Sequence, residues 1–263
     1  MKIGFIGAGN MASALLKGML ASPAVQASDV MISDKDSAKL ENLKSLGVTI
    51  TEDNCKVEEC SDIVIFAVKP NLMQIVTAEM KGDPTKIYVS IAAGVSLQFL
   101  EQALGNDKKI IRTMPNTPAM VGCGMTVLSP NCNISKQEEE AVFSLFESIG
   151  AALILPEKEL EIATALHGSS PAYVYMMIDA MADAGVRYGL TKASALKLAA
   201  KAVEGSGKMV LETGILPEQL KDNVCSPGGT TIAAVCELER TGFRSSVQAA
   251  VDACIKRNQE MKQ

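Results

Sequence analysis

The sequence predicts an α/β fold, with a doubly wound, mostly parallel sheet over residues 1–155 and an all-α second domain over residues 156–263. Three observations predict it. The chain opens on a strand, a glycine turn and a helix. Short apolar runs then alternate with helical patterns as far as Leu155. From Glu157 onward the pattern is long helices without strand signals.

Ile3-Gly4-Phe5-Ile6 reads as the first strand, Gly7-Ala8-Gly9-Asn10-Met11-Ala12 as the turn, and Ser13-Ala14-Leu15-Leu16-Lys17-Gly18 as the helix. This is G-x-G-x-x-A, in which Gly7 makes the turn, Gly9 admits a pyrophosphate and Ala12 allows close helix–strand packing. The competing reading is a structural glycine turn. A second strand, Val30-Met31-Ile32-Ser33, follows at the distance a Rossmann-like domain requires and ends at Asp34-Lys35. A carboxylate there accepts from a ribose 2′-OH and suits NAD, whereas a cation suits the 2′-phosphate of NADP. Either could equally be a solvated surface charge. The reading is NADPH, with NADH kept as the alternative.

Residues 37–46 look helical, and Val48-Thr49-Ile50 is a short strand. After Asn54 and a brief helix, Asp62-Ile63-Val64-Ile65-Phe66-Ala67-Val68 is an apolar run of buried parallel-strand type that stops at Lys69-Pro70. Ile87-Tyr88-Val89-Ser90-Ile91 ends in Ala92-Ala93-Gly94, small residues where a coenzyme could lie against backbone. Lys109-Ile110-Ile111-Arg112 leads into Thr113-Met114-Pro115-Asn116-Thr117-Pro118-Ala119, a proline-stiffened loop. Strands at 124–128 and 152–155, with a helix at 136–149 between them, complete the predicted sheet.

The second half predicts helices opening at Ser170-Pro171, at Thr191 and near Pro217, then a terminal helix over 246–261. The run Ala172–Met181 is apolar almost all round, so it is expected in a core or a subunit interface, and its methionines and tyrosines read as packing. Apolar helices in this number predict a homodimer built there.

Composition excludes several classes. Hydrophobic content of 48% with 21% charged residues fits a compact folded chain of 263 residues. A net charge of −5 gives no basic footprint for nucleic acid. No apolar run is long enough to span a bilayer, and the N-terminus shows no leader pattern. The expectation is a cytoplasmic protein without membrane or nucleic-acid partners. Seven scattered cysteines and a single histidine, His167, make no credible metal set, and the thiols are expected reduced. Cys225 has no nearby histidine in sequence to activate it and reads as an ordinary thiol. His167, just before a helix, reads as structural, or as near a site without acting in it.

Between Ala165 and Val186 there is no lysine or arginine. Hydroxyacid dehydrogenases of this two-domain plan place a lysine on the corresponding helix for the alcohol proton, so its absence argues against alcohol or ketone chemistry. A protonated imine is already an electrophile and needs no such group. Near the end of the chain, Ser226-Pro227-Gly228-Gly229-Thr230-Thr231 runs into the helical Ile232-Ala233-Ala234-Val235. Unpaired N–H groups at such a helix start can hold a carboxylate, although Pro-Gly-Gly is also ordinary turn chemistry.

Taken together these residues resemble the Δ1-pyrroline-5-carboxylate reductase family over essentially the whole chain. The resemblance rests on residues 4–12, on Ala67-Val68-Lys69-Pro70, on 112–118, on Gly168-Ser169-Ser170-Pro171-Ala172-Tyr173 and most specifically on 220–231. It implies NAD(P)H-dependent reduction of pyrroline-5-carboxylate to L-proline, the final step of proline biosynthesis. It also implies dimers through interlocked helices and, in many members, decamers. Carried over, the coenzyme contacts fall on Ile6, Gly7, Ala8, Gly9, Asn10, Met11, Asp34, Lys35, Asn54, Ala67, Val68, Lys69, Pro70, Ile91, Ala92, Ala93 and Asn223. Substrate contacts fall on Glu157, Thr164, Ser226, Gly229, Thr230 and Thr231, with Thr231 as the catalytic hydroxyl beside the ring nitrogen and no metal. The substrate is expected between the coenzyme and the Ser226–Thr231 turn. The chain departs from the family at His167, in place of a small hydroxyl residue, and at Asp34, where serine or asparagine is frequent. A reductase of another cyclic imine, a hydroxyacid-type dehydrogenase and a non-catalytic NADP(H) sensor are the rival readings.

Overall fold

The computed structural model describes residues 1–260. By contacts the chain forms two compact units, one of residues 1–169 with the terminal stretch from Ile255, the other Ser170–Cys254. In the first, β1 (Ile3–Ile6), α1 (Asn10–Ala21), β2 (Val30–Ser33), α2 (Ser37–Lys44), β3 (Thr49–Thr51), α3 (Asn54–Cys60), β4 (Ile63–Phe66), α4 (Met73–Glu79), β5 (Ile87–Ser90), α5 (Leu97–Leu104) and β6 (Lys109–Met114) alternate without interruption. Then come β7 (Gly124–Pro130), α6 (Lys136–Glu147), β8 (Gly150–Ile154) and α7 (Glu157–Ala163).

The strands form an eight-stranded sheet in the order β3-β2-β1-β4-β5-β6-β7-β8. β1, β4 and β5 are buried at every position, as strands covered on both faces must be. One face packs Ile3, Phe5, Ile65 and Val89 against Leu15 and Leu16 of α1 and Phe146 of α6. The other packs Ile6, Val64 and Phe66 against Val57, Met73 and Leu100 of α3, α4 and α5. The chain order reverses at β1 and β4, and in open α/β sheets ligands bind at the strand ends beside such a switch point.

The predicted mostly parallel sheet is present, with one antiparallel pair, β6 with β7. The link over 115–123 holds only a tight turn at Thr117–Val121, too short for the crossover that a parallel pair needs. Pairing with β7 also carries β6 through Thr113 and Met114, residues the sequence assigned to a loop.

A buried polar cluster fixes β5 behind the site. Glu58 is 1% exposed, and its carboxylate accepts from the backbone N–H groups of Lys81 and Gly82 and from the Tyr88 hydroxyl. Burial first, then the Glu58 hydrogen bond, pushes the Tyr88 phenol above its usual range, so it remains a donor. Its ring stacks on Phe66, the last residue of β4, with centroids 6.0 Å apart.

The second unit holds α8 (Ser170–Arg187), α9 (Lys192–Thr213), α10 (Pro217–Val224), α11 (Thr230–Arg240) and the first part of α12 (Phe243–Glu260). Thr191 caps α9 as expected, accepting from the Ser194 N–H. α8 begins at Ser170, with Ser169 between it and the π-helical turn Thr164–Gly168. Among the described residues no helix is long and apolar enough to cross a membrane.

Candidate functional site

The cleft begins at the glycine turn. Gly7 has φ +105°, and a Cβ there would lie 2.6 Å from the Ala67 carbonyl oxygen, so the turn closes only with glycine. The Gly7 N–H donates to the Ser33 carbonyl at 2.7 Å, tying the turn to the end of β2. Gly9 caps α1, and a Cβ on it would meet nothing within 4 Å. That open space lies beside the start of a twelve-residue helix, where orphan N–H groups suit a pyrophosphate.

Ile6, Gly7, Gly9, Asp34, Lys35, Asn54, Ala67, Val68 and Lys69 line one cleft of about 370 Å³. The sequence assigned all of these to the coenzyme. Ala8, Asn10 and Met11 belong to the same turn and first helical residues, Ala8 buried and Asn10 exposed. Pro70 opens the short turn after Lys69 and does not line the cleft. Ile91 and Ala92 are buried at the end of β5. Ala93 instead lines a cavity of about 10 Å³ with Arg112, Met114 and Thr164, room for about one water. Asn223 lies in the helical unit on α10, where its amide oxygen accepts from Gln219 at 3.0 Å.

Sequence reasoning missed Lys39, Leu72, Ile75, Val76 and Glu79, which also line the cleft. The apolar trio belongs to the turn after Lys69 and to α4, and Leu72 and Ile75 are 40% and 61% exposed. No local sequence signal marks them, because their exposure and their place opposite the glycine turn come from the fold.

Several assigned side chains are already bonded within the sheet unit. Asn54 is 5% exposed, its Oδ1 accepting from Ser33 Oγ at 2.6 Å and its Nδ2 donating to Glu79 at 2.7 Å. Asp34 accepts from the Ala8 N–H at 2.8 Å through one oxygen and from the Asp36 N–H at 2.9 Å through the other. Glu157 Oε1 accepts from the Leu97 N–H and from Arg112 Nη1, each at 2.8 Å, joining α7 to α5 and β6. Thr164 Oγ1 donates to the Leu160 carbonyl at 2.6 Å. His167 sits with Nδ1 2.6 Å from the Ala163 carbonyl oxygen and Nε2 2.8 Å from that of Met114, so a ring N–H has a backbone acceptor on either side.

The second locus lies in the helical unit. The Gly229 N–H donates to the Ser226 carbonyl at 3.0 Å, closing a turn in which Gly228 has φ +71°. Gly229 then occupies the N-cap of α11, and no side chain caps this end. The Ala233 N–H is bonded back to the Gly229 carbonyl, which leaves the N–H groups of Thr230, Thr231 and Ile232 ahead of it as the orphan donors of the first turn. Ser226 and Thr230 are exposed and Thr231 is half-buried. The arrangement can bind an anionic oxygen group and present hydroxyls beside it.

Comparison with known proteins bears on both loci. The family described as pyrroline-5-carboxylate reductase dimerisation matches residues 157–261, and the one described as NADP oxidoreductase, coenzyme F420-dependent, matches residues 2–94. The pyrroline-5-carboxylate reductase of Escherichia coli is 45% identical over 263 residues, covering 99% of this chain and 98% of the relative. The structure of Plasmodium falciparum pyrroline carboxylate reductase with NADP bound superimposes with a TM-score of 0.89 at 32% identity, covering 100% of this chain and 98% of that one. That of the Coxiella burnetii reductase gives a TM-score of 0.90 at 32% identity, with the same coverage.

Proposed function

The chain belongs to the pyrroline-5-carboxylate reductase family, and from that premise we propose that it reduces Δ1-pyrroline-5-carboxylate to L-proline with NADPH, closing proline biosynthesis. The observation that carries this reading is the pairing, in one chain, of a glycine-turn cleft at the sheet's switch point with the uncapped start of α11. The open space at Gly9 and the tight closure at Gly7 fit a dinucleotide. Residues Ile6 to Met11 would hold its pyrophosphate, Asp34, Lys35 and Asn54 its adenosine end, and Ala67 to Pro70, Ile91 to Ala93 and Asn223 the remainder. When bound, the reduced nicotinamide supplies a hydride.

The chain's own residues then position the imine. The unpaired N–H groups of Thr230 and Thr231, with Ser226 and the open backbone at Gly229, hold the substrate carboxylate, and the family resemblance adds Glu157 and Thr164 as substrate contacts. Thr231 hydrogen-bonds the ring nitrogen, orienting the C=N bond. The imine carbon gains the hydride, the protonated nitrogen keeps its proton, and a secondary amine results. Catalysis comes from alignment and from electrostatic anchoring of the carboxylate, with no enzyme acid required at the moment of transfer.

In this reading the functional division follows residue 155, and the helical domain makes a homodimer, with decamers of such dimers as the larger assembly. The protein acts in the cytoplasm on a small molecule, without a nucleic-acid or membrane partner. The test is NADPH and NADH oxidation measured with pyrroline-5-carboxylate, its six-membered homologue and hydroxy acids. Turnover confined to the five-membered imine is expected. Turnover of a hydroxy acid or of the homologue alone, or tight coenzyme binding with no turnover, overturns the reading.

A further inference from the structure

We propose that Lys39 sets coenzyme selectivity by receiving the 2′-phosphate of NADP(H), and that Asp34 is a positioning residue for it instead of the acceptor of a ribose hydroxyl. The proposal rests on the reductase reading of the same cleft and names a residue that reading left out.

The argument starts from where the oxygens of Asp34 point. In an NAD-selective cleft a carboxylate at the end of β2 takes the ribose 2′-OH. Here Oδ2 accepts from the Ala8 N–H at 2.8 Å and Oδ1 accepts from the Asp36 N–H at 2.9 Å. The group is turned into the protein, with its side chain 16% exposed. It clasps the glycine turn to the β2–α2 loop, a structural task that uses one lone pair on each oxygen.

The cations beside it differ in their commitments. Lys35 Nζ donates to the Glu52 carbonyl at 3.1 Å and is drawn toward the β3–α3 loop. Lys39 is 48% exposed, lines the cleft, and stands 3.6 Å from both Asp34 Oδ1 and Asp36 Oδ2. Those separations are longer than a hydrogen bond, so the ammonium is steered over the cleft without being saturated. Lys39 also occupies the first turn of α2, the end at which the helix dipole disfavours a cation. Asp34 and Asp36 offset that cost and aim the side chain at the position next to the end of β2, where a 2′-phosphate lies in this fold. A dianion there supplies the close oxygen acceptors that Lys39 lacks.

The test is isothermal titration of the full-length protein with NADP⁺ and separately with NAD⁺, without imine, for wild type, Lys39→Gln and Lys39→Arg. Wild type is expected to bind NADP⁺ more tightly. Lys39→Gln is expected to weaken NADP⁺ by roughly 10-fold or more, the worth of one charge-assisted contact, and to leave NAD⁺ within about twofold. Lys39→Arg keeps the charge and retains the preference. Equal weakening of both dinucleotides, unchanged NADP⁺ binding in Lys39→Gln, or tighter NAD⁺ binding by wild type overturns the assignment. Binding of neither dinucleotide overturns it together with the coenzyme reading of the cleft. Selective NADP⁺ binding through Lys39 with no turnover of pyrroline-5-carboxylate leaves the assignment standing and fails the reductase reading alone.

Discussion

Ile3, Phe5, Ile65 and Phe66 of the sheet unit are at most 1% exposed, whereas Tyr175, Met176, Leu198 and Leu211 of the helical unit are 58%, 74%, 62% and 86% exposed. Among the described residues of α8 to α12 only alanines are buried. The sheet unit therefore completes its core within one chain. The helical unit carries apolar side chains as large but leaves them uncovered, and the proposed homodimer would cover them; the family matched there is described by dimerisation. Substitutions of apolar residues should act through different equilibria in the two units.

The largest expected effect breaks the comparison from the helical side. Met176→Asp with Leu198→Asp should convert the assembly to monomers, so that the melting temperature no longer depends on protein concentration and imine reduction is lost. Sedimentation and thermal unfolding over a hundredfold range of concentration (roughly, to resolve mass action) would check it. A double variant that stays assembled would mean that these side chains face solvent in the functional protein. From the sheet side, Phe66→Ala removes a fully buried ring and its stacking on Tyr88, and should cost about 3–5 kcal/mol in urea unfolding, independent of concentration. A loss below about 1 kcal/mol would show that the core behind the cleft is less closely packed than the burial of β4 indicates.

The same contrast governs what could be read from residues alone. The alternation of β1 to β6 with helices, and the glycine turn, were legible because a strand covered on both faces and a turn needing positive φ each leave a composition signal. Contacts between residues distant in sequence leave none. Nothing near Asp34 announces that its oxygens face the Ala8 and Asp36 N–H groups, and nothing near Glu157 announces Arg112. Lys39 was overlooked because it looks like an ordinary exposed helix residue, although its place in a first turn ran against the dipole. The π-turn at 164–168 and the antiparallel pairing of β7 depend on what packs beside them, not on local propensity. In the helical unit, helix ends were readable from Thr191 and Pro217, while nothing in the residues alone says what covers the apolar faces.

Thr231→Ala sharpens the comparison by separating chemistry from packing. The residue is half-buried at the start of α11, in the unit whose core is unfinished, yet its proposed role is one hydrogen bond to the ring nitrogen. Its removal should lower kcat/KM by about 10-fold or more without changing the assembly state. An unchanged kcat/KM would remove the hydroxyl from the mechanism. An equal fall accompanied by dissociation would make it a packing residue.

The smallest effect tests whether polar links in the sheet unit matter beside its core. Lys109 at the start of β6 donates to Glu138 in the first turn of α6 at 2.6 Å, and the Ser135 N–H donates to the same carboxylate. The Lys109 hydrogen bond first, then that of Ser135, lowers the Glu138 pKa to about 2. A free glutamate titrates near 4.3, so the folded value is depressed and the group stabilises the fold fully above that unfolded value. The contribution is lost as pH falls through the folded value of about 2. Both side chains are about one quarter exposed, at 28% and 25%, and solvent screening keeps the link under about 1 kcal/mol. Urea midpoints of wild type and Glu138→Gln should therefore differ by a small constant amount from pH 7 to about 5, and by less than about half of it at pH 3. A gap that stayed constant down to pH 3 would leave the Lys109–Glu138 charge pair without a measurable part in stability, because the glutamine oxygen can still accept from the Ser135 N–H.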